Sequence, residues 1–179
     1  MLLSTGFILS SSSCDSKRNE NLDDKLSLER VYYNGNELRI DGYYRRYNYV
    51  DKEPEPRGVT PFFLYRNGII FGYAGVDIDK VSQMEEWFRN GNYVNNTSKY
   101  QWGVFQIDGE KIKYEKWTPV QGPLWAATYE GVILNDTTFV INKSYRANDA
   151  GKKAPSEHHW EYHFNPDYAI ENFRAMSIG

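Results

Sequence analysis

From residue 38 onward, short runs rich in aromatic and β-branched residues alternate with clusters of Asn, Gly, Asp and Pro. Within residues 111–117, Ile112 and Tyr114 alternate with Lys111, Lys113 and Glu115; within 157–164, Trp160, Tyr162 and Phe164 alternate with His159, Glu161 and His163. Period-two alternation of this kind marks a strand with one wet face. The pattern predicts eight strands, over residues 38–49, 61–66, 69–76, 100–107, 111–117, 124–134, 137–146 and 157–164. Residues 124–134 carry apolar groups at both parities, as expected where the outer face of a strand is also covered.

Turn chemistry joins these runs in pairs. Asn67-Gly68 between two apolar runs is the strongest hairpin signal in the chain and suits a type I′ turn, in which both residues take positive φ. Asp108-Gly109 and Asn135-Asp136 predict two more hairpins. Only residues 79–90 show clear helical spacing, with Val81, Met84 and Phe88 on one face, Trp87 beside them, and Asn90-Gly91 as a stop. Ser82 and Glu85 have the spacing of a capping box, and Asn165-Pro166 suits the start of a short terminal helix reaching residue 173. Eight antiparallel strands linked by tight turns either close or stack as a sandwich. Closure removes exposed edges, so the expected fold is all-β: an eight-stranded antiparallel up-and-down barrel with one helix inserted after the third strand.

Composition supports one β-rich domain. The 179 residues include fifteen tyrosines, five tryptophans and nine phenylalanines, a mixture that favours strands. The net charge of −3 comes from interspersed acids and bases, leaving no basic face for a phosphate backbone, so nucleic acid is not an expected partner.

The first fourteen residues have a different character. An apolar run over residues 2–9 is followed by Ser10 to Ser13 and then by Cys14, the single cysteine of the chain. This eight-residue stretch falls far short of the roughly 20 apolar residues that span a bilayer, but it suits a secretory leader with small residues before its cut. The stretch resembles the end of a bacterial lipoprotein signal peptide. That resemblance implies removal of residues 1–13, lipidation of Cys14, and a cell-envelope location with the membrane, the outer one, reached through the lipid. Residues 14–30 then read as a flexible tether and 31–179 as the barrel domain; the alternative is a helix over 22–31 carrying Leu22, Leu26, Leu28 and Val31.

The segments LRIDGYY (38–44), FFLYRNGII (62–70), WGVFQIDGEKIKYEKW (102–117) and GVILNDTTFVINKSYR (131–146) resemble the lipocalin-like lipoproteins of Bacteroidetes-type bacteria. The likeness covers about residues 38–164. It implies a calycin-like barrel with an internal cavity for a small apolar ligand, no cofactor and no catalytic residues. Gly42-Tyr43-Tyr44 stands where lipocalins carry Gly-x-Trp, and a single cysteine cannot form their internal disulfide.

Candidate chemistry is sparse. His159, Glu161 and His163 project from one strand face about 7 Å apart in succession, a spacing that can seat a metal but equally describes a solvated face. Neither a G-x-S-x-G elbow nor a phosphate-binding glycine loop is present, so an enzyme is not expected. Tyr43, Tyr44, Tyr47 and Tyr49, with Arg45 and Arg46 among them, could offer flat aromatic surface to a sugar or line a cavity. The expected function is a lipid-anchored binding module for a small apolar or amphipathic molecule, with Tyr43, Trp102, Phe105, Trp125 and Phe139 lining the cavity. The alternative is a surface lipoprotein that binds glycans or proteins through exposed aromatics and holds no internal ligand.

Overall fold

The computed structural model describes residues 24–51, 53–90, 98–119, 123–151 and 153–166. Its strands are β1 (Tyr43–Asn48), β2 (Gly58–Leu64), β3 (Ile69–Gly72), β4 (Val76–Asp77), β5 (Trp102–Asp108), β6 (Lys111–Thr118), β7 (Trp125–Asn135), β8 (Thr138–Arg146) and β9 (Ser156–Asn165). Helix α1 (Val81–Arg89) lies between β4 and β5. The antiparallel order β1-β9-β8-β7-β6-β5-β3-β2 returns to β1, which pairs with both β9 and β2. The expected eight-stranded barrel is therefore closed, with the helix where the sequence places it.

Two local departures have physical causes. The run expected as one strand over 69–76 breaks after Gly72, and Val76–Asp77 pairs separately with Gly58 and Val59. Pro61 accepts a bond from the Tyr73 amide at 3.1 Å but has no N–H to return, so the ladder stops there. At Asn67-Gly68 the Gly68 amide bonds Tyr65 O at 2.9 Å and the Tyr65 amide bonds Ile69 O at 2.9 Å, which makes a three-residue loop in place of a two-residue type I′ turn. Gly68 has φ +80°, and a Cβ there would lie 2.2 Å from the Val31 carbonyl oxygen, so both conformation and contact require glycine.

Inward positions on all eight walls form one core. Tyr44, Phe62, Leu64, Phe105, Ile112, Tyr114, Ile133, Phe139, Ile141 and Tyr162 fill the lower half, at the end where the tight hairpins lie. Ring centroids 4.7 Å apart for Phe139 and Tyr162, and 5.0 Å for both Phe62–Tyr114 and Tyr44–Phe139, leave this half solid. A second core lies outside the barrel. The apolar face of α1, with Met84 and Phe88, covers Phe63, Phe71 and Trp102 on the outer faces of β2, β3 and β5. This explains why these strands carry aromatics at both parities.

Residues 24–41 run along the wall and under the lower end. The Asp24 amide bonds Leu124 O at 2.8 Å, Glu115 receives Ser27 and Leu28, Gln106 reaches Glu29 O at 2.8 Å, and the Tyr33 amide bonds Arg66 O at 2.9 Å. Tyr33 and Leu38 then join the lower core. Of the stretch read as a tether, residues 24–30 are thus bonded to the barrel without forming a helix; 14–23, Cys14 and the leader lie outside the described residues.

Helix α1 starts at Val81 after a 3₁₀ turn over Ile78–Lys80, with no side-chain cap, so Ser82 and Glu85 do not form the expected box. A capping box forms instead at Ser98 and Gln101. Asn165 ends β9 and its side-chain amide donates to the Tyr43 hydroxyl at 3.1 Å; the terminal helix expected from Asn165-Pro166 to residue 173 lies, from residue 167, outside the described residues. No described helix is long and apolar enough to cross a membrane.

Candidate functional site

The upper end of the barrel has a different lining from the lower. Register places Thr60 opposite Arg46, Gly103 opposite both Ile70 and Lys116, Ala127 opposite Lys116, and Ser144 opposite Tyr129. Small residues therefore face inward where the lower half has rings. Gly72 and Gly103 lie against Lys116: a Cβ on Gly103 would meet first the Glu115 backbone carbonyl and then Lys116 Cβ at 2.8 Å, and one on Gly72 would touch Lys116 Nζ at 3.4 Å. The Lys116 side chain therefore lies across β5 and β3 inside the wall.

Arg46 enters from β1, four strands from β6 by either route around the barrel. Its guanidinium lies 4.6 Å from the Trp160 ring centroid, with Nη2 3.4 Å from Thr60 Oγ1. Trp160 stacks on His158 at 4.0 Å and tilts against Tyr129 at 6.0 Å, while Tyr129 stacks on Tyr114 at 4.6 Å. His158 Nε2 is 2.6 Å from Ser144 Oγ. An aromatic wall thus faces two cations. By register, the one acid at an inward position on the described strands is Asp77, opposite Gly58 at the upper rim, and it is paired with Lys80 at 2.9 Å.

Electrostatics follow this geometry. Burial, with repulsion from Arg46 added, pushes the Lys116 ammonium down to about 8. Burial and Arg46 likewise lower His158. Burial raises the Tyr129 hydroxyl. Solvent reaches part of Lys116, yet no ion pair or hydrogen bond to it exists among the described residues. A fall of this size corresponds to ~3 kcal/mol at ~1.4 kcal/mol per pH unit, and partial contact with water reduces it to roughly 2 kcal/mol. Because the unfolded ammonium holds its proton more tightly, this cost is fully present below about pH 8 and is relieved as pH rises toward 10.5. Lys116→Met is therefore expected to stabilise the unliganded protein by roughly 2 kcal/mol at pH 7 in urea unfolding, with the gain shrinking above pH 9.

The barrel wall opens beside this region. Pairing of β1 with β9 stops at Arg45–His163, and beyond it a cleft of about 540 Å³ is lined by Arg46, Tyr47, Asn48, Tyr49, His159, Trp160, Glu161 and His163. Inward side chains (Arg46, Asn48, Trp160) and outward ones share its lining. A smaller groove of about 310 Å³ lies between α1 and β4, lined by Tyr73, Val76, Lys80, Gln83, Met84 and Trp87.

Of the residues expected to line the cavity, Phe105 and Phe139 face inward but belong to the solid floor. Register turns Trp125 inward at the upper rim, where the Arg146 guanidinium lies 5.8 Å from its ring. Tyr43 and Trp102 are corrections: both face outward beneath α1, and the Tyr43 hydroxyl donates to Glu85 at 2.7 Å. The tyrosine cluster divides accordingly, with Tyr44 in the inner core and Tyr47 outside, 6.4 Å from the His163 ring. His159, Glu161 and His163 share the outer face as expected, with Glu161 3.8 Å from His159 and 3.3 Å from His163. Among the described residues no group of three or more His, Cys, Asp or Glu is arranged to hold a metal.

Lys116 is the functional candidate that sequence reasoning missed, and Arg46 entered it only as a neighbour of the tyrosine cluster. The signal was present, since the alternation of Ile112 and Tyr114 extends by one step to Lys116. The barrel is compatible with a lipocalin-like architecture. Comparison with known protein families, with curated proteins and with solved structures finds no match to this chain.

Proposed function

We propose that the protein is a binding module of the bacterial cell envelope that takes a small amphipathic or apolar molecule into the upper half of its barrel. The observation that carries this reading is the division of the interior. The lower half is filled by interlocked rings, while the upper half presents Gly72, Gly103, Ala127 and Thr60 beside Trp160 and Tyr129, next to an open cleft of about 540 Å³. Aromatic walls with a few polar groups are the usual chemistry of small-molecule sites.

Attachment through a lipid on Cys14 belongs to the same proposal. Nine residues, 15–23, separate Cys14 from Asp24, which is bonded to the barrel wall. Metabolic labelling with an alkyne fatty acid is expected to mark the wild-type protein and to leave Cys14→Ala unlabelled; equal labelling of both would remove the anchor from the account.

A surface role in glycan binding is less favoured. The strongly exposed aromatics among the described residues are Tyr32 and Tyr49, which sit at opposite ends of the barrel and form no continuous patch. Native mass spectrometry of freshly purified protein tests the binding reading. A small molecule retained by the folded protein and released on unfolding is expected, whereas glycan-array binding by a ligand-free protein would favour the surface role.

A further inference from the structure

We infer that Lys116 and Arg46 form an anion seat inside the upper barrel, which takes the carboxylate or a similar anionic group of a small molecule whose flat apolar body lies on Trp160 and Tyr129. This deepens the proposed binding function and rests on it.

Two cations project inward from walls on opposite sides of the barrel, and among the described residues no carboxylate makes an ion pair or hydrogen bond to either. The acids near this end are engaged elsewhere: Glu115 with Ser27, Leu28 and Thr128, Asp24 with Arg146, Glu130 with Tyr145, Asp77 with Lys80, and Glu161, which shares the cleft with Arg46, with His163 on the outer face. Enclosed charges are ordinarily paired or coordinated, because an unpaired one destabilises the fold. Arg46 gains some compensation from the Trp160 ring and Thr60; Lys116 has neither. Its side chain nevertheless lies inside the wall, with Nζ against Gly72 of β3. A chain that needed only a packed interior would carry an apolar residue at 116.

An anionic group between the two cations supplies what the protein lacks. It would make charge-assisted bonds to both and cancel their mutual repulsion, an interaction that strengthens away from bulk water. The neighbouring groups select the rest of the ligand. Tyr129 and Trp160, each already stacked on one neighbour (Tyr114 and His158), offer aromatic contact to an apolar body beside Arg46. The cleft between β1 and β9 opens Arg46 and Trp160 to solvent. A bare inorganic anion would satisfy the cations and leave the aromatic surface unused.

The test is isothermal titration of the full chain at pH 7 with 2-naphthoate, with its neutral isostere 2-naphthamide and with inorganic sulfate. The naphthoate is expected to bind at least tenfold more tightly than the amide, and sulfate more weakly than either. Lys116→Met should lower naphthoate affinity at least tenfold and leave the amide unchanged, while Lys116→Arg keeps the charge and most of the affinity. Equal affinities for naphthoate and amide would overturn the anion seat and leave the binding function standing. No binding of either aromatic by the folded protein would overturn both, and sulfate binding more tightly than naphthoate would overturn the aromatic half of the seat.

Discussion

Phe139→Ala is expected to destabilise the barrel by about 4 kcal/mol, within the range for deleting a buried aromatic side chain. Phe139 is fully buried, with ring contacts to Tyr44 at 5.0 Å, Phe62 at 6.0 Å and Tyr162 at 4.7 Å, the last nearly parallel. These neighbours come from β1, β2 and β9, so one substitution loosens three walls of a closed sheet. Because cross-strand partners fix the rings from both sides, the space left cannot collapse without moving backbone. Thermal unfolding should show a midpoint lower by roughly 10 °C. The same variant separates floor from site: affinity for 2-naphthoate should change by less than threefold at a temperature where the variant is folded.

The second large effect lies on the outer wall. Glu115 is 2% exposed, and its carboxylate accepts from Ser27 N at 2.6 Å, Ser27 Oγ at 2.7 Å, Leu28 N at 2.8 Å and Thr128 Oγ1 at 3.0 Å. Glu115→Ala leaves all four donors without their acceptor and is expected to cost about 3 kcal/mol. It should also free residues 24–33 from the wall, which limited proteolysis reads as new early cleavage there. Burial alone would raise this carboxyl, but the bonds from Ser27, Leu28 and Thr128 together outweigh it and hold the group below its ordinary value. A carboxylate lowered in the native state stabilises fully above its unfolded pKa near 4.5, and that contribution is lost as pH falls through the native value. The difference between wild type and Glu115→Ala should therefore narrow below about pH 4.5. The interaction also bears on anchoring, since it holds to the barrel the segment through which a lipid on Cys14 would pull.

Much of the fold was legible because the barrel is built from local signals. The alternations in β6 and β9 assigned the inner and outer faces of those strands correctly, including His159, Glu161 and His163 on the outside. The hairpins announced themselves through Asn67-Gly68 and Asp108-Gly109, where Gly68 and Gly109 take positive φ. What escaped depends on non-local facts. Tyr43 and Trp102 were misassigned because β1 and β5 carry apolar groups at both parities, and only the position of α1 says which face is the outer core. The break between β3 and β4 depends on the missing amide of Pro61, whose effect is felt on a neighbouring strand. Residues 24–30 look like a tether because they bind largely through backbone groups, which leave no hydrophobic pattern. Lys116 was passed over, and Arg46 read only as a neighbour of the tyrosines, for a related reason. Charged residues in a strand are usually on the wet side, and their inward placement becomes visible only once the register is known.

The account turns on where a ligand sits. Indole N–H resonances of the five tryptophans, followed in ¹H–¹⁵N spectra during titration with 2-naphthoate, report on that location. Trp160 lines the upper cleft, while Trp87 lines the groove beside α1 and Trp102 lies in the outer core beneath that helix. A saturable shift at Trp160 with Trp87 and Trp102 unmoved is the expected result. A shift confined to Trp87 or Trp102, with Trp160 silent, would place binding outside the barrel and contradict it.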